Sequence, residues 1–278
     1  MKIDLKEVTV CSVGSNDRLL AAHALEICNR QCKFADSILF SHEPVGGSFR
    51  NVAIEPLKSM KAYTHFMLKE IDKLIKSPFV LVTQWDGYVT NPESWRAEFL
   101  EYDYIGAVWP WHADEMRVGN GGFSLRSKKL LDIMAQPRFE LLSNYGEDEL
   151  ICRAYRPLLE QKHGIRFAPQ AVAERFAYER GVPLRPTFGF HGMINFYREV
   201  SDTELIKLVS LMPASGFKHL NCGQLAVLYY ISQRWQPLRT LYRAWVGHFG
   251  VEEVRRQFVP SIPKEFLHDC IQACEALL

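Results

Sequence analysis

Apolar residues in the first two-thirds of the chain come in two alternating textures. Short apolar runs of strand length are followed by longer stretches in which apolar positions recur every three or four residues. Glu7–Val13 reads as a buried strand, and a turn follows at Gly14-Ser15-Asn16-Asp17. Asn16 or Asp17 caps a helix that runs to about Arg30 and carries Leu19, Leu20, Ala24, Ile27 and Cys28. Ser37–Ser41 is a second short strand. Leu57–Ile75 places Leu57, Met60, Tyr63, Met67, Ile71 and Leu74 on the stripe of an amphipathic helix packed on a sheet. Phe79–Thr83 (FVLVT) is too apolar to be half-exposed and belongs in the sheet centre. Asn91-Pro92-Glu93 begins another helix with Pro92 at its first position, and Tyr104–Val108 is a further strand.

After about Asn195 the strand texture stops. Ser201-Asp202-Thr203-Glu204 is a capping-box pattern leading into Leu205, Ile206, Leu208 and Val209. Gln224–Ser232, Leu238–Phe249, Glu252–Phe258 and Lys264–Leu277 also read as helices, separated by Gly or Pro. The pattern therefore predicts an α/β fold: a mostly parallel central sheet flanked by helices over residues 1–195, and an all-helical C-terminal appendage over 196–278.

Composition removes several classes of partner without naming one. The 278 residues are 47% hydrophobic and 23% charged, with a formal net charge of +1. Such a chain buries a substantial core, and its charge gives no reason to expect nucleic acid or an anionic membrane as partner. The opening Met1-Lys2-Ile3-Asp4-Leu5-Lys6-Glu7 has charges where a signal peptide needs an apolar core, so a cytoplasmic location is the expectation. No apolar run reaches the roughly 18–20 residues of a spanning helix. There are seven cysteines, with Cys28/Cys32 and Cys270/Cys274 each four apart in helix-like segments. No Cys-x-x-Cys and no clustered His accompany them, so they read as buried reduced thiols rather than a zinc site.

Five segments carry candidate chemistry, each beside a plain structural alternative. Asp86 follows the central strand in Gln84-Trp85-Asp86-Gly87, where ligands collect in open α/β sheets; the same dipeptide also makes an ordinary turn. Gly119-Asn120-Gly121-Gly122 lets backbone approach a ligand and present N–H groups, or is simply a flexible turn. Its spacing is neither the dinucleotide fingerprint nor a Walker loop; a strand-like Phe123-Ser124-Leu125 follows before Ser127 caps a helix. Glu147-Asp148-Glu149 offers a general base whose pKa its neighbours raise, but acids also suit the first turn of any helix. His191, between Phe190 and Gly192, is either a structural imidazole or a metal ligand beside Asp86. Trp109-Pro110-Trp111-His112 is an aromatic patch that stacks on sugars or fills a core.

In this order the segments resemble glycosyltransferases of the GT-A fold, most of all the inverting galactosyl- and N-acetylhexosaminyltransferases. Their lineup is an acidic metal motif, a Gly-Gly segment, a Glu-Asp pair and a late His. The chain is also similar to a bacterial family known only as a domain of unknown function. Strings like Gln84–Gly87, Tyr102–Trp109, Gly119–Arg126, Glu147-Asp148 and Phe188–Gly192 recur there in this order. The resemblance covers about residues 5 to 195. It implies a metal-dependent enzyme that moves a sugar from a nucleotide-sugar donor, a UDP-sugar by family habit, to a glycan or other hydroxyl acceptor in polysaccharide biosynthesis. It further implies Asp86 and His191 as ligands of Mn2+ or Mg2+, and Asp148 as base with Glu147 beside it. Gln84, Trp85, Trp109, Asn120, Gly121 and Gly122 would then line the donor and acceptor region. The usual metal motif is Asp-x-Asp, and Gln84 stands at the first Asp. The alternative is a carbohydrate- or nucleotide-binding module of the same fold without turnover.

Overall fold

The computed structural model describes residues 2–14, 17–218 and 220–278, which fall into two compact units, 1–191 and 192–278. The first unit is mixed α/β. Its strands are β1 (Ile3–Val13), β2 (Cys32–Ser41), β3 (Arg50–Ala53), β4 (Phe79–Thr83), β5 (Tyr104–Ile105) and β6 (Phe123–Ser127), ordered β3-β2-β1-β4-β6-β5. Pairings from β3 to β4 are parallel, and those of β6 with β4 and β5 are antiparallel. Among the helices are α1 (Arg18–Gln31), α2 (Met60–Lys69), α3 (Lys128–Met134), the single turn α4 (Glu147–Glu149), α5 (Arg156–His163) and α6 (Gln170–Phe176). A two-stranded parallel pair, β7 (Ala177–Tyr178) and β8 (Gly189–Phe190), completes the unit.

Phe79–Thr83 lies between β1 and β6, as its unbroken apolar run requires: Val80, Leu81 and Val82 are fully buried. One face of the sheet packs Cys11, Ile38, Phe40, Val80 and Val82 against Phe66, Met67 and Ile71. A second apolar cluster joins Tyr104, Leu130, Met134, Phe139, Leu150 and Phe167.

Several boundaries differ from the sequence pattern for local reasons. The apolar stripe from Leu57 is helical only from Met60, because Ser59 Oγ accepts the Ala62 N–H and starts the helix there. After Lys69 the chain tightens into a 3-10 turn at Ile71–Lys73. The segment at Asn91-Pro92-Glu93 makes only 3-10 turns, Pro92–Ser94 and Ala97–Glu101. The strand expected over Tyr104–Val108 leaves the ladder after Ile105. A Cβ on Gly106 would stand 1.9 Å from the Gly119 carbonyl, so the two backbones touch there. The second strand begins at Cys32, directly after α1; Cys28 and Cys32 are thus divided between helix and strand rather than sharing a helix face. All seven thiols are free and buried. Of the two capping candidates for α1, Asn16 lies outside the described residues, and the Asp17 side chain makes no capping bond.

The second unit contains no strand among its described residues. Its helices are α7 (Phe196–Glu199), α8 (Asp202–Leu211), α9 (Ala214–Phe217), α10 (Leu220–Ile231), α11 (Trp235–Phe249), α12 (Val251–Phe258) and α13 (Leu267–Glu275). Ser201 Oγ accepts the Glu204 N–H at the start of α8. Buried Leu205, Leu208, Leu238, Leu241, Trp245, Val254 and Phe258 form its core. Among the described residues no helix is long and apolar enough to cross a membrane.

Ser127 ends β6 and caps α3: its Oγ accepts the Leu130 N–H at 3.0 Å and lies 2.6 Å from Asp103 Oδ1, to which its hydroxyl donates. Ser127→Ala should cost about 1–2 kcal/mol in denaturant unfolding, more than Ser59→Ala, whose cap bond is exposed. Equal losses for the two would refute this.

Candidate functional site

The antiparallel register of β4 and β6 sets Thr83 opposite Phe123, so the segment leaving β4 and the segment entering β6 lie side by side. Gln84 N–H donates to the Gly122 carbonyl at 2.8 Å, and Gly87 N–H turns back to the Gln84 carbonyl at 3.1 Å. β8 reaches the same place: Gly189 bridges Val89, and Phe190 N–H donates to the Tyr88 carbonyl at 3.4 Å. His191, the next residue, is thereby delivered to the Asp86 turn.

Asp86 and His191 meet across this junction. Asp86 Oδ1 lies 3.4 Å and Gln84 Oε1 3.2 Å from His191 Nε2. On the other edge of the ring, Asn120 Nδ2 is 3.0 Å and Glu179 Oε1 3.7 Å from Nδ1. Asn120 Nδ2 also donates to Glu179 Oε2 at 2.9 Å. Asn120 holds φ at 63°, a left-handed conformation that asparagine tolerates better than most side chains. Burial works against a charged His191, but the Asp86 carboxylate, then Glu179 and Asp148, outweigh it and raise the imidazole pKa.

Gly121 and Gly122 are needed for what they leave room for. A Cβ on Gly122 would stand 2.1 Å from His191 Nε2, and one on Gly121 would stand 2.1 Å from Glu147 Oε1. Two consecutive residues thus seat the imidazole and the acidic turn on one stretch of backbone. Gly121 N–H donates to Asp148 Oδ2 at 2.9 Å, and Glu149 N–H to Asp148 Oδ1 at 2.9 Å. Glu149 itself points back, accepting Gly146 N–H at 3.1 Å. Beyond α4 the backbone widens into a π-helical turn, Leu150–Ala154, which closes where Tyr155 N–H reaches the Leu150 carbonyl at 2.9 Å.

Glu147 faces inward. Its Oε1 is 2.8 Å from Arg126 Nη2, with the two side chains 6% and 0% exposed. Arg126 Nε also donates to Ser124 Oγ at 3.0 Å, and its guanidinium lies 5.5 Å from the Tyr104 ring centroid. Asp148 is partly exposed, and its pKa is pushed up to about 6, first by burial and then by the charge of Glu147. Gly121 N–H and Arg126 pull it back part of the way.

These groups wall a cavity of about 810 Å³, lined by Gln84, Asn120, Gly121, Gly122, Glu147, Asp148 and His191 together with Ser59–Lys61, Tyr63, Thr64 and the loop 141–146. Three of the residues singled out from sequence do not line this cavity, and Asp86, which adjoins it through His191 at 3.4 Å, is one of them. Trp85 is half-buried and is not among the lining residues. Trp109 is 4% exposed and sits in the apolar cluster with Tyr104 and Leu130, where its indole covers the Cα of Gly119. Three residues of the site went unnoticed in sequence: Arg126, Glu179 and Tyr63, whose hydroxyl accepts from Gln84 Nε2 at 3.3 Å. Arg126 carried a signal, a cation inside an otherwise buried strand; the other two carried none.

Among the described residues no group of three or more His, Cys, Asp and Glu side chains is arranged to hold a metal ion. Asp86 Oδ1 and the amide oxygen of Gln84 do stand together at His191 Nε2, 3.4 Å and 3.2 Å from it. This oxygen and nitrogen donor set fits a cation such as Mn2+ that retains open positions for other oxygen ligands.

A family model described as a protein of unknown function (DUF5672) matches residues 47–191. No curated protein matches the chain. Among solved structures, a glycosyltransferase involved in glycosylation of the major capsid of PBCV-1 is 11% identical, over 67% of this chain and 92% of that one, with a TM-score of 0.41. The galactosyltransferase LgtC, in complex with donor and acceptor sugar analogs, is 13% identical over 75% and 95%, with a TM-score of 0.43. A mannosyltransferase from Pyrobaculum calidifontis, in complex with GDP-Man and Mn2+, is 13% identical over 97% and 86%, with a TM-score of 0.42. At these values the likeness is loose, and no functional weight rests on it.

Two measurements check the geometry. Glu147→Gln leaves Arg126 charged in a dry site and should cost about 3–5 kcal/mol of unfolding free energy; a loss below about 1 kcal/mol would refute the buried pair. Asp86→Asn and Gly122→Ala should each lower the His191 pKa, followed by imidazole C–H shifts in NMR. The sign follows from the raised value. The Asp86–His191 attraction stabilises the fold below the ordinary imidazole pKa and is lost as pH rises through the raised one. An unchanged His191 titration in Asp86→Asn would show that the two do not interact.

Proposed function

Because the chain belongs to the DUF5672 family of proteins of unknown function, its activity has to be argued from the site, and we propose a metal-dependent glycosyltransferase. In this reading a sugar passes from a nucleotide-sugar, a UDP-sugar by the motif resemblance, to a hydroxyl acceptor, with inversion at the anomeric carbon. One observation carries it. The Asp148 carboxylate, with its pKa raised to about 6, and His191, which is 3.4 Å from Asp86, line the same cavity beside adjacent backbone positions, Gly121 and Gly122.

Asp148 is the base. The acceptor hydroxyl gives it a proton as the oxygen bonds to the anomeric carbon, while the bond from that carbon to the nucleoside diphosphate breaks on the opposite side. A pKa near 6 suits the task, because the carboxylate is ionised at neutral pH yet still takes a proton readily. Backbone N–H bonds to both oxygens fix its direction. Glu147 is a positioning residue in this scheme, held by Arg126 and unable to swing toward an acceptor. Asp86, His191 and Gln84 are the residues that would hold Mn2+ or Mg2+. Bound there, the cation supplies charge neutralisation for a diphosphate leaving group.

A panel of nucleotide sugars tested for manganese-dependent hydrolysis or transfer decides between this enzyme and a binding module without turnover. Asp148→Asn should lower transfer at least about a hundredfold with donor affinity nearly unchanged. In the wild type, kcat/KM should rise with pH through about 6 and level off above it, as the base loses its proton. Near-normal transfer by Asp148→Asn, or a product that keeps the donor's anomeric configuration, would refute the mechanism.

A further inference from the structure

A second cavity of about 400 Å³ lies within the first unit, between α6, β7 and the loop 179–185. Four arginines line it: Arg117, Arg175, Arg180 and Arg185. Two carboxylates share the lining, Glu174 and Glu179, and both are engaged. Glu174 accepts from Gln170 Nε2 at 2.5 Å, and Glu179 from Asn120 at 2.9 Å. Arg175 pairs with Glu98 at 2.5 Å. Arg117 donates from Nη1 to Gln170 Oε1 at 3.2 Å, and neither it, Arg180 nor Arg185 has a carboxylate within ion-pair distance among the described residues.

Two further features point to what would fill the space. Arg117 and Arg175 each have a buried Nε–H with no hydrogen-bond acceptor among the described residues. Such donors keep their full desolvation cost until an acceptor arrives. At the rim, Val182 is 69% and Leu184 98% exposed, on the same loop as Arg180 and Arg185. Guanidinium groups in this number match the several oxygens and the double charge of a phosphate better than one carboxylate. A cavity of this size takes a single group rather than a polymer backbone, and the apolar rim asks for a stem that is not itself charged.

We propose that this cavity binds the phosphate or diphosphate group of an amphiphilic molecule, with the four guanidiniums on the anion and Val182 and Leu184 against its apolar stem. The site is independent of the glycosyl-transfer reading but adjoins it. The Tyr178 carbonyl in its wall accepts His191 N–H at 2.9 Å, and Glu179 borders the same imidazole. An occupant therefore sits one residue from the first cavity.

The test uses the full chain in EDTA, with inorganic pyrophosphate as probe in calorimetric titration. Saturable binding is expected, weakened at least about tenfold by the exposed double variant Arg180→Gln/Arg185→Gln. Lys73→Gln/Lys76→Gln, a matched loss of charge on another surface, should leave it unchanged. In a second arm, vesicles of phosphatidylcholine with and without phosphatidic acid are sedimented with the protein. Capture should require phosphatidic acid and be lost in Val182→Ser/Leu184→Ser, while that variant still binds pyrophosphate. Equal pyrophosphate binding by wild type and the arginine variant overturns the anion site. Absence of vesicle capture, or capture indifferent to Val182 and Leu184, overturns the amphiphile.

Discussion

The buried contact between Arg126 and Glu147 is the constraint on which the rest of the site depends. Arg126 is the penultimate residue of β6, opposite Val80 of the central strand, and is fully buried. A guanidinium does not give up its proton, so the fold must supply an anion there or lose several kcal/mol. Glu147 supplies it. In doing so it fixes the first residue of α4, and with it the direction of Asp148 one residue on. Sheet register and acidic turn are thus coupled through one ion pair.

The same logic explains why two glycines precede β6. Neither Gly121 nor Gly122 has a positive φ; what matters is the missing Cβ. Glu147 must pass close to Gly121 to reach Arg126, and the His191 ring must lie against Gly122 to reach Asp86 and Gln84. Glycine at both positions lets an anion and an imidazole approach one turn from two sides. The raised pKa values of Asp148 and His191 follow from that crowding: burial and the Glu147 charge in one case, neighbouring carboxylates overriding burial in the other.

Much of this architecture is legible in the sequence where local physics decides. The unbroken apolar run Phe79–Thr83 has no polar face, so it lies mid-sheet, and Ser127 ends a strand and caps a helix as its position suggests. The loss of strand texture after residue 195 corresponds to helices alone among the described residues there. Local reading fails where a tertiary neighbour sets the boundary. Gly106 meets Gly119 and cuts a strand short, and β2 starts at Cys32 because its pairing with β1 begins at Ile3.

For the site, the order of the motifs, through the family resemblance it carries, put Asp86, Gly121, Gly122, Asp148 and His191 in one group. The structure adds Arg126, a fully buried charge that the reading of the sequence passed over. Only the tertiary structure decided which of the three consecutive acids answers it. Glu147 turns inward to Arg126, Asp148 faces the cavity and Glu149 caps its own turn. It likewise moved Trp109 into the core and brought Tyr63 and Glu179 to the imidazole's neighbourhood. The reason is physical: periodicity fixes which way a side chain points relative to its own backbone, whereas its partner comes from another element, a helix or loop whose position is set by the whole fold.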